Sequence, residues 1–343
     1  MNELVGLDVG GTKVVAARVC DGRLGPSRTQ PTQRSSPGAL IDQMFGLIES
    51  VRSGEVSAVG IGMPSVVEFA TGRVLSSVNV PLADVPLRHV IGARLGVPVF
   101  VDNDATVAAL AEAHDEQLRP VAKSLVMITI GTGVGGGLVL GGRIYRGATG
   151  GAGELGHTIV ALDLARATPV PAATHFPQPP SLESLASGRA LDRLAADAAS
   201  RYPESSLGRL KASGQAVLGS EAVQAARDGD VAAARVVEIW GRRVGIGIAN
   251  AINTFDPEEI VIGGGAATAA RELMLGPATR VALGYVLPGV GTRTTIRIAR
   301  HGVRAGVLGA ALLAMHESEH LHQDPDGING SLLTGTRVGP GVC

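Results

Sequence analysis

Apolar residues fall along this chain in two rhythms. Residues 3–9 and 13–20 are short, Val-rich runs that predict strands, split by Gly10-Gly11. Asp21-Gly22 adds a hairpin turn signal. The chain therefore opens as a three-stranded antiparallel meander. A slower rhythm follows over 38–52, where Leu40, Ile41, Met44, Leu47, Ile48 and Val51 mark one face of a helix. Residues 56–64 predict a buried strand, 86–96 a helix and 97–101 another buried strand. Residues 102–116 then open a helix behind polar capping residues.

The same order recurs further on. Residues 124–131 predict a strand, 132–136 a glycine turn, 137–140 a strand, 141–142 a second turn and 143–147 a third strand. Helices over 182–199, 231–253 and 302–317 and strands over 258–265 and 294–300 complete the pattern. A strand–glycine turn–strand meander that occurs twice, each time followed by alternating helix and strand, implies an internally duplicated α/β protein. The proline-rich stretch 165–180 predicts an irregular loop. Residues 318–343 lack apolar periodicity and predict a disordered tail, so His316, His320 and His322 are expected on solvated chain.

Composition narrows the function classes. The chain has 343 residues, enough for two domains. Glycine accounts for 48 of them, clustered at 10–11, 131–137, 141–142, 150–156 and 263–265, which suggests several loops that let backbone approach a ligand. A net charge of −1 argues against a dedicated nucleic-acid binder. Cys20 and Cys343 make neither a disulfide framework nor a metal cluster. No signal-peptide pattern and no long apolar run are present, so a cytoplasmic protein with no membrane partner is expected.

The first glycine turn carries chemistry. Residues 7–13 read Leu-Asp-Val-Gly-Gly-Thr-Lys. A P-loop needs Gly-Lys-[Ser/Thr] running into a helix; here the order is Gly-Thr-Lys and a strand follows. Successive N–H groups of a turn between strands still form an anion nest. With this turn go Gly-Met-Pro at 62–64, Asn-Val-Pro at 79–81, Val-Asp-Asn-Asp-Ala-Thr at 101–106, the glycine-rich run 130–157, Ser-Leu-Glu-Ser-Leu-Ala-Ser-Gly at 181–188 and Ile-Val-Ile-Gly-Gly-Gly at 260–265. In this order they resemble the ROK family of sugar kinases and repressors, over roughly residues 3–317.

The resemblance implies a two-lobed actin-like ATPase (ribonuclease-H-like) fold. One lobe would hold 1–115 plus 302–317, and the other 116–301. It implies ATP-dependent phosphorylation of a hexose 6-hydroxyl, glucose first, with mannose, fructose, N-acetylmannosamine and N-acetylglucosamine as alternatives. Asp104 is the candidate base, since phosphoryl transfer needs a group that orients the hydroxyl and takes its proton. Asn79, Asn103, Glu154, His157 and Glu183 are the candidate sugar contacts. Gly10, Gly11, Thr12 and Lys13 would meet one end of the phosphates, Gly131, Thr132 and Gly133 the other. Gly263, Gly264 and Gly265 would lie near adenosine. Asp8 would face Mg²⁺ through water. A homodimer is implied, and polyphosphate is an alternative donor.

Two departures from the family remain. Its kinases carry a zinc held by the histidine and three cysteines, yet 158–182 contains no cysteine, so no zinc is expected and the prolines are expected to stiffen that wall. Its repressors carry a helix-turn-helix domain ahead of the kinase-like body. Here the first strand starts at residue 3, so none is expected. A sugar-binding relative without catalysis is the remaining alternative, against which Asp104, Thr12 and Thr132 argue.

Overall fold

The computed structural model describes residues 3–20, 22–77, 79–161 and 176–323. The chain divides into two units, 1–121 with 142–152 and 303–343, and 122–141 with 153–302. The division falls at residue 121 where the sequence pattern predicts 115, and residues 142–152 belong to the first unit.

In the first unit, β1 (Glu3–Val9), β2 (Lys13–Cys20), β3 (Arg23–Leu24), β4 (Arg28–Pro31), α1 (Pro37–Val51), β5 (Val56–Met63), β6 (Ser65–Glu68), β7 (Arg73–Ser77), α2 (Leu87–Leu95), β8 (Val99–Asn103) and α3 (Asp104–Glu112) follow one another. The sheet order is β3-β2-β1-β5-β8, with β4 also on β2. β1 is antiparallel to β2 and parallel to β5, and β5 is parallel to β8. Helix α1 begins at Ser36, whose hydroxyl accepts the Ala39 N–H at 3.1 Å, with Pro37 just inside. Five of its predicted face residues, Leu40, Ile41, Met44, Leu47 and Ile48, are buried.

The second unit repeats the plan. β9 (Leu125–Ile130) and β10 (Val134–Leu140) are antiparallel. The short β11 (Arg143–Ile144) lies in the segment that belongs to the first unit. After it come α4 (Leu182–Ala186), α5 (Gly188–Arg201), α6 (Ser206–Ala212), α7 (Gly219–Arg227), α8 (Val231–Phe255), β12 (Glu259–Gly263), α9 (Gly265–Ala270), α10 (Glu272–Tyr285) and β13 (Thr295–Ile298). β12 is parallel to both β9 and β13. Antiparallel, parallel, parallel is therefore the strand sequence of both units, the duplication that the sequence pattern implies.

Several elements depart from expectation. The helix expected over 182–199 breaks at Ser187, whose backbone is extended and whose hydroxyl caps Ala190. Buried Trp240 fixes the break by donating its indole N–H to the carbonyls of Ala186 and Ser187, at 2.8 and 3.2 Å. Helix α10 was hidden by Pro277 in its interior. Gly241 and Gly245 serve packing, since a β-carbon there would meet the backbone oxygens of Met274 and Ala278 on α10. The last helix, α11 (Ala305–Gln323), runs past residue 317, so 318–323 are helical and not tail. His316 therefore sits on a helix, its Nε2 3.2 Å from His114 Nε2. Residues 324–343 of the expected tail lie outside the described residues, as does most of the proline-rich stretch.

Helix α11 returns to the first unit because glycines let it. A β-carbon at Gly60 would overlap the Ala310 carbonyl, and one at Gly6 the Val307 carbonyl. Neither neighbour is a side chain that can swing away. Gly60→Ala is therefore expected to destabilise the protein by about 3 kcal/mol or more, read as a lower urea midpoint. An unchanged midpoint would contradict this close helix–sheet contact.

Candidate active site

The turn between β1 and β2 is closed by the Gly10 N–H, which donates to the Lys13 carbonyl at 2.9 Å. Gly11 and exposed Thr12 form its tip. Thr32, just past β4, holds the tip in place: its hydroxyl donates to the Gly10 carbonyl at 2.7 Å and its N–H to the Thr12 carbonyl at 3.0 Å. Asn79 lies beside it, its Cβ 3.3 Å from where a Gly11 side chain would begin. Lys13 is exposed on the first residue of β2. Sequence reasoning missed Arg34, whose guanidinium donates to the Gly11 carbonyl and brings a cation to this glycine turn. Its position depends on β4 pairing with β2, which local spacing does not reveal.

Asp8 ends β1 against the first turn of α11. A β-carbon at Gly306 would touch its carboxylate, so the glycine is what lets an acid sit at that helix start. Burial raises the Asp8 carboxyl to about 6, the charge of Asp104 adds to the rise, and Lys13 opposes it. Two carboxylates close enough to repel suit a divalent cation that keeps its own waters. Asp8 and Asp104 thus fit a magnesium ion bound mainly through phosphate and water. Among the described residues no group of three or more His, Cys, Asp or Glu could hold a metal.

Asp104 is the first residue of α3, half-buried at the end of the parallel strand β8. The cap is its neighbour: Asn103 Oδ1 accepts the N–H groups of Ala105 and Thr106 at 2.9 and 3.3 Å. Asn103 is thus the cap of α3, and the Asp104 carboxylate lies in the first turn, its Oδ1 accepting the Ala105 N–H at 2.8 Å. The Asn103 amide N–H also donates to the Ser65 carbonyl at 3.4 Å. Asp102, read from sequence as a cap or loop residue, is instead a buried strand residue paired with Arg146 at 2.7 Å.

In the second unit, the glycine groups 131–133 and 263–265 gather at the end of β9. The Gly131 N–H donates to the Gly133 carbonyl at 3.0 Å, and the Gly188 N–H to the Gly131 carbonyl at 2.8 Å. Thr132 is exposed at the tip. Gly264, at φ +87°, is pressed against Ile130, while a side chain at Gly265 would meet open space. Glu183 braces this turn, accepting the Val134 N–H at 2.8 Å. A β-carbon on Gly133 would lie 2.5 Å from Glu183 Oε2. Gly133→Ala is expected to displace Glu183 and raise the apparent KM for nucleotide on the order of tenfold, the loss of about one charge-assisted hydrogen bond. Unchanged nucleotide kinetics would sink that role for the turn.

Glu154 precedes and His157 ends a single 3₁₀ turn, Leu155–His157, laid on β10 by Gly136 and Gly156, which leave no room for side chains there. His157 Nε2 stands 3.7 Å from a Glu154 carboxylate oxygen, and both side chains keep exposed surface. The His157 ring meets the Phe176 ring edge-on at 5.2 Å, and its Nδ1 is buried without a partner. Residues 158–182 hold no cysteine that could join His157.

A duplicated meander with a glycine turn in each copy, and a carboxylate opening a helix behind the first, define an actin-like ATPase fold. The chain belongs to the ROK family, whose sequence model matches residues 4–317. It is 34% identical over 328 residues to a glucokinase of Halalkalibacterium halodurans, covering 93% of this chain and 97% of that one. It is 33% identical to an N-acetyl-D-glucosamine kinase of Photobacterium profundum, covering 90% and 98%. It also superposes with a TM-score of 0.73 on a ROK family glucokinase from Streptomyces griseus in complex with glucose and AMPPNP, at 30% identity and covering 92% and 100%.

Proposed function

We propose that this protein transfers the terminal phosphoryl group of ATP to the 6-hydroxyl of a hexose, with glucose as the preferred acceptor. The observation that carries this reading is Asp104, an acid placed in the first turn of a helix beside a second acid, Asp8, and close to a phosphate-type glycine turn. The likeness to a glucokinase over nearly the whole chain supports the choice of glucose.

Each residue has a task in this reading. Asp104 accepts the proton of the sugar hydroxyl as the oxygen–phosphorus bond forms. Asn103, Asn79, Glu154 and His157 supply the donors and acceptors that a sugar requires, and Glu183 acts from the turn it braces. The N–H groups of Gly10–Thr12 and Gly131–Gly133 stabilise phosphate oxygens. Gly263–Gly265 leave room for adenosine. Magnesium, when bound, neutralises charge on the phosphates; Asp8 orients its water shell. A homodimer and a cytoplasmic setting belong to the same proposal on family resemblance. Among the described residues no helix is long and apolar enough to cross a membrane.

A coupled ADP-release assay over glucose, mannose, fructose, N-acetylmannosamine and N-acetylglucosamine tests the substrate. Glucose is expected to give the highest kcat/KM. Turnover confined to the N-acetyl sugars would overturn that choice.

A further inference from the structure

One buried charged cluster of the first unit has no part in the proposed chemistry. Asp102 is 3% exposed and immediately precedes Asn103-Asp104. Its Oδ2 accepts Arg146 Nε at 2.7 Å, and its Oδ1 accepts the Asn103 N–H at 2.9 Å. The other arm of Arg146 reaches Glu317 on α11 at 2.8 Å. The guanidinium also lies over the Phe69 ring, 3.4 Å from its centroid. The Arg146 carbonyl accepts the Ala152 N–H at 3.0 Å, which closes the loop that carries it.

We infer that Arg146 is a positioning residue for the reaction: by gripping the Asp102 carboxylate it fixes the 102–103 peptide from which Asn103 and Asp104 project. The inference rests on the proposed role of Asp104 as base. The reasoning is geometric. One carboxylate is bound on two sides, by a guanidinium and by the next residue's amide. Asp102 can turn only if that amide turns with it, and the peptide sets the Asn103 cap and the entry of Asp104 into α3. The planar fork of Arg146 is itself locked by a ring and a second carboxylate, so it cannot follow a moving partner. A residue that only filled space or balanced charge would not need all three contacts.

Arg146→Met is expected to lower kcat about 10- to 100-fold, the loss that misplacing a reacting group by about an ångström brings. The KM for ATP should stay within about twofold, since that fold-change is under half a kcal/mol. The melting temperature should also fall, because a buried carboxylate loses the cation that is hydrogen-bonded to it. Adding Asp102→Asn removes that charge yet keeps an oxygen for the Asn103 N–H. The double variant should regain its melting temperature while kcat stays low. If kcat returns with the melting temperature, Arg146 only stabilises the fold and the inference fails alone. If Arg146→Met does not fold, Arg146→Lys carries the same test, keeping the charge but not the two-armed fork. In an Asp104→Asn background the Arg146 change should cost less than about twofold, because effects through one group do not add. An undiminished loss there overturns the inference. An Asp104→Asn enzyme as fast as wild type overturns the base assignment, and this inference with it.

Discussion

Asp104→Asn is expected to abolish most of the phosphoryl transfer, lowering kcat by about 10²–10⁴-fold, the usual contribution of a positioned base. The amide has the shape of the carboxylate but cannot take a proton. The α3 cap survives, because Asn103 Oδ1 accepts the Ala105 and Thr106 N–H groups, and the amide keeps an oxygen for the Ala105 N–H that Asp104 Oδ1 also accepts at 2.8 Å. Stability should therefore change little at this position. The loss of the Asp104 charge should also lower the Asp8 carboxyl, since Asp104 is one of the two causes of its rise. Steady-state kinetics together with calorimetric titration of sugar check this. Sugar binding should persist within a few fold while turnover disappears. A variant that lost sugar binding and turnover alike would make Asp104 a binding residue and not the base.

Asp8→Asn has opposite effects on activity and on stability. The Asp8 carboxyl, at about 6, lies above its ordinary value of 3.8. A raised acid stabilises the fold fully below its unfolded value, and that contribution is lost as pH rises through about 6. At pH 8 the ionised carboxylate therefore weighs against the folded state. The neutral amide should make the nucleotide-free protein more stable there by about 1–3 kcal/mol, and by much less at pH 4. Activity should nonetheless fall on the order of 10²-fold, since the magnesium shell loses its charged partner. In the wild type, kcat/KM should drop as pH falls through 6, as Asp8 gains its proton. Melting curves and rate profiles at pH 4, 6 and 8 decide it. An Asp8→Asn protein that is less stable at pH 8 would contradict the account, and so would a wild-type profile flat through pH 6.

Much of the fold was legible because its signals are local. The face of α1, the strand ending in Asn103 and the glycine turns at 10–11 and 131–133 all follow from spacing and turn chemistry. The duplication followed as well, because both meanders use the same order. What escaped depends on distant partners. Ser187 breaks a helical pattern because Trp240, 53 residues away, takes its carbonyl. Pro277 masked a helix that packs on α8. Asp102 looked like one more polar residue ahead of a helix, because its partner Arg146 comes from a segment that follows two intervening strands. Arg34 carried no local sign of standing at the Gly10–Thr12 turn. The residue types of the candidate site could be read from motifs, but the division of labour could not. Asn103 caps α3 and Glu183 holds a turn, both set by hydrogen bonds that sequence spacing leaves open.

The most direct measurement is the product itself. Incubating the purified protein with glucose, ATP and magnesium and following phosphorus by NMR should show one 6-phosphate ester formed for each ADP released, with none from the Asp104→Asn variant. ADP released without a sugar ester, or a phosphate at another hydroxyl, would contradict the account.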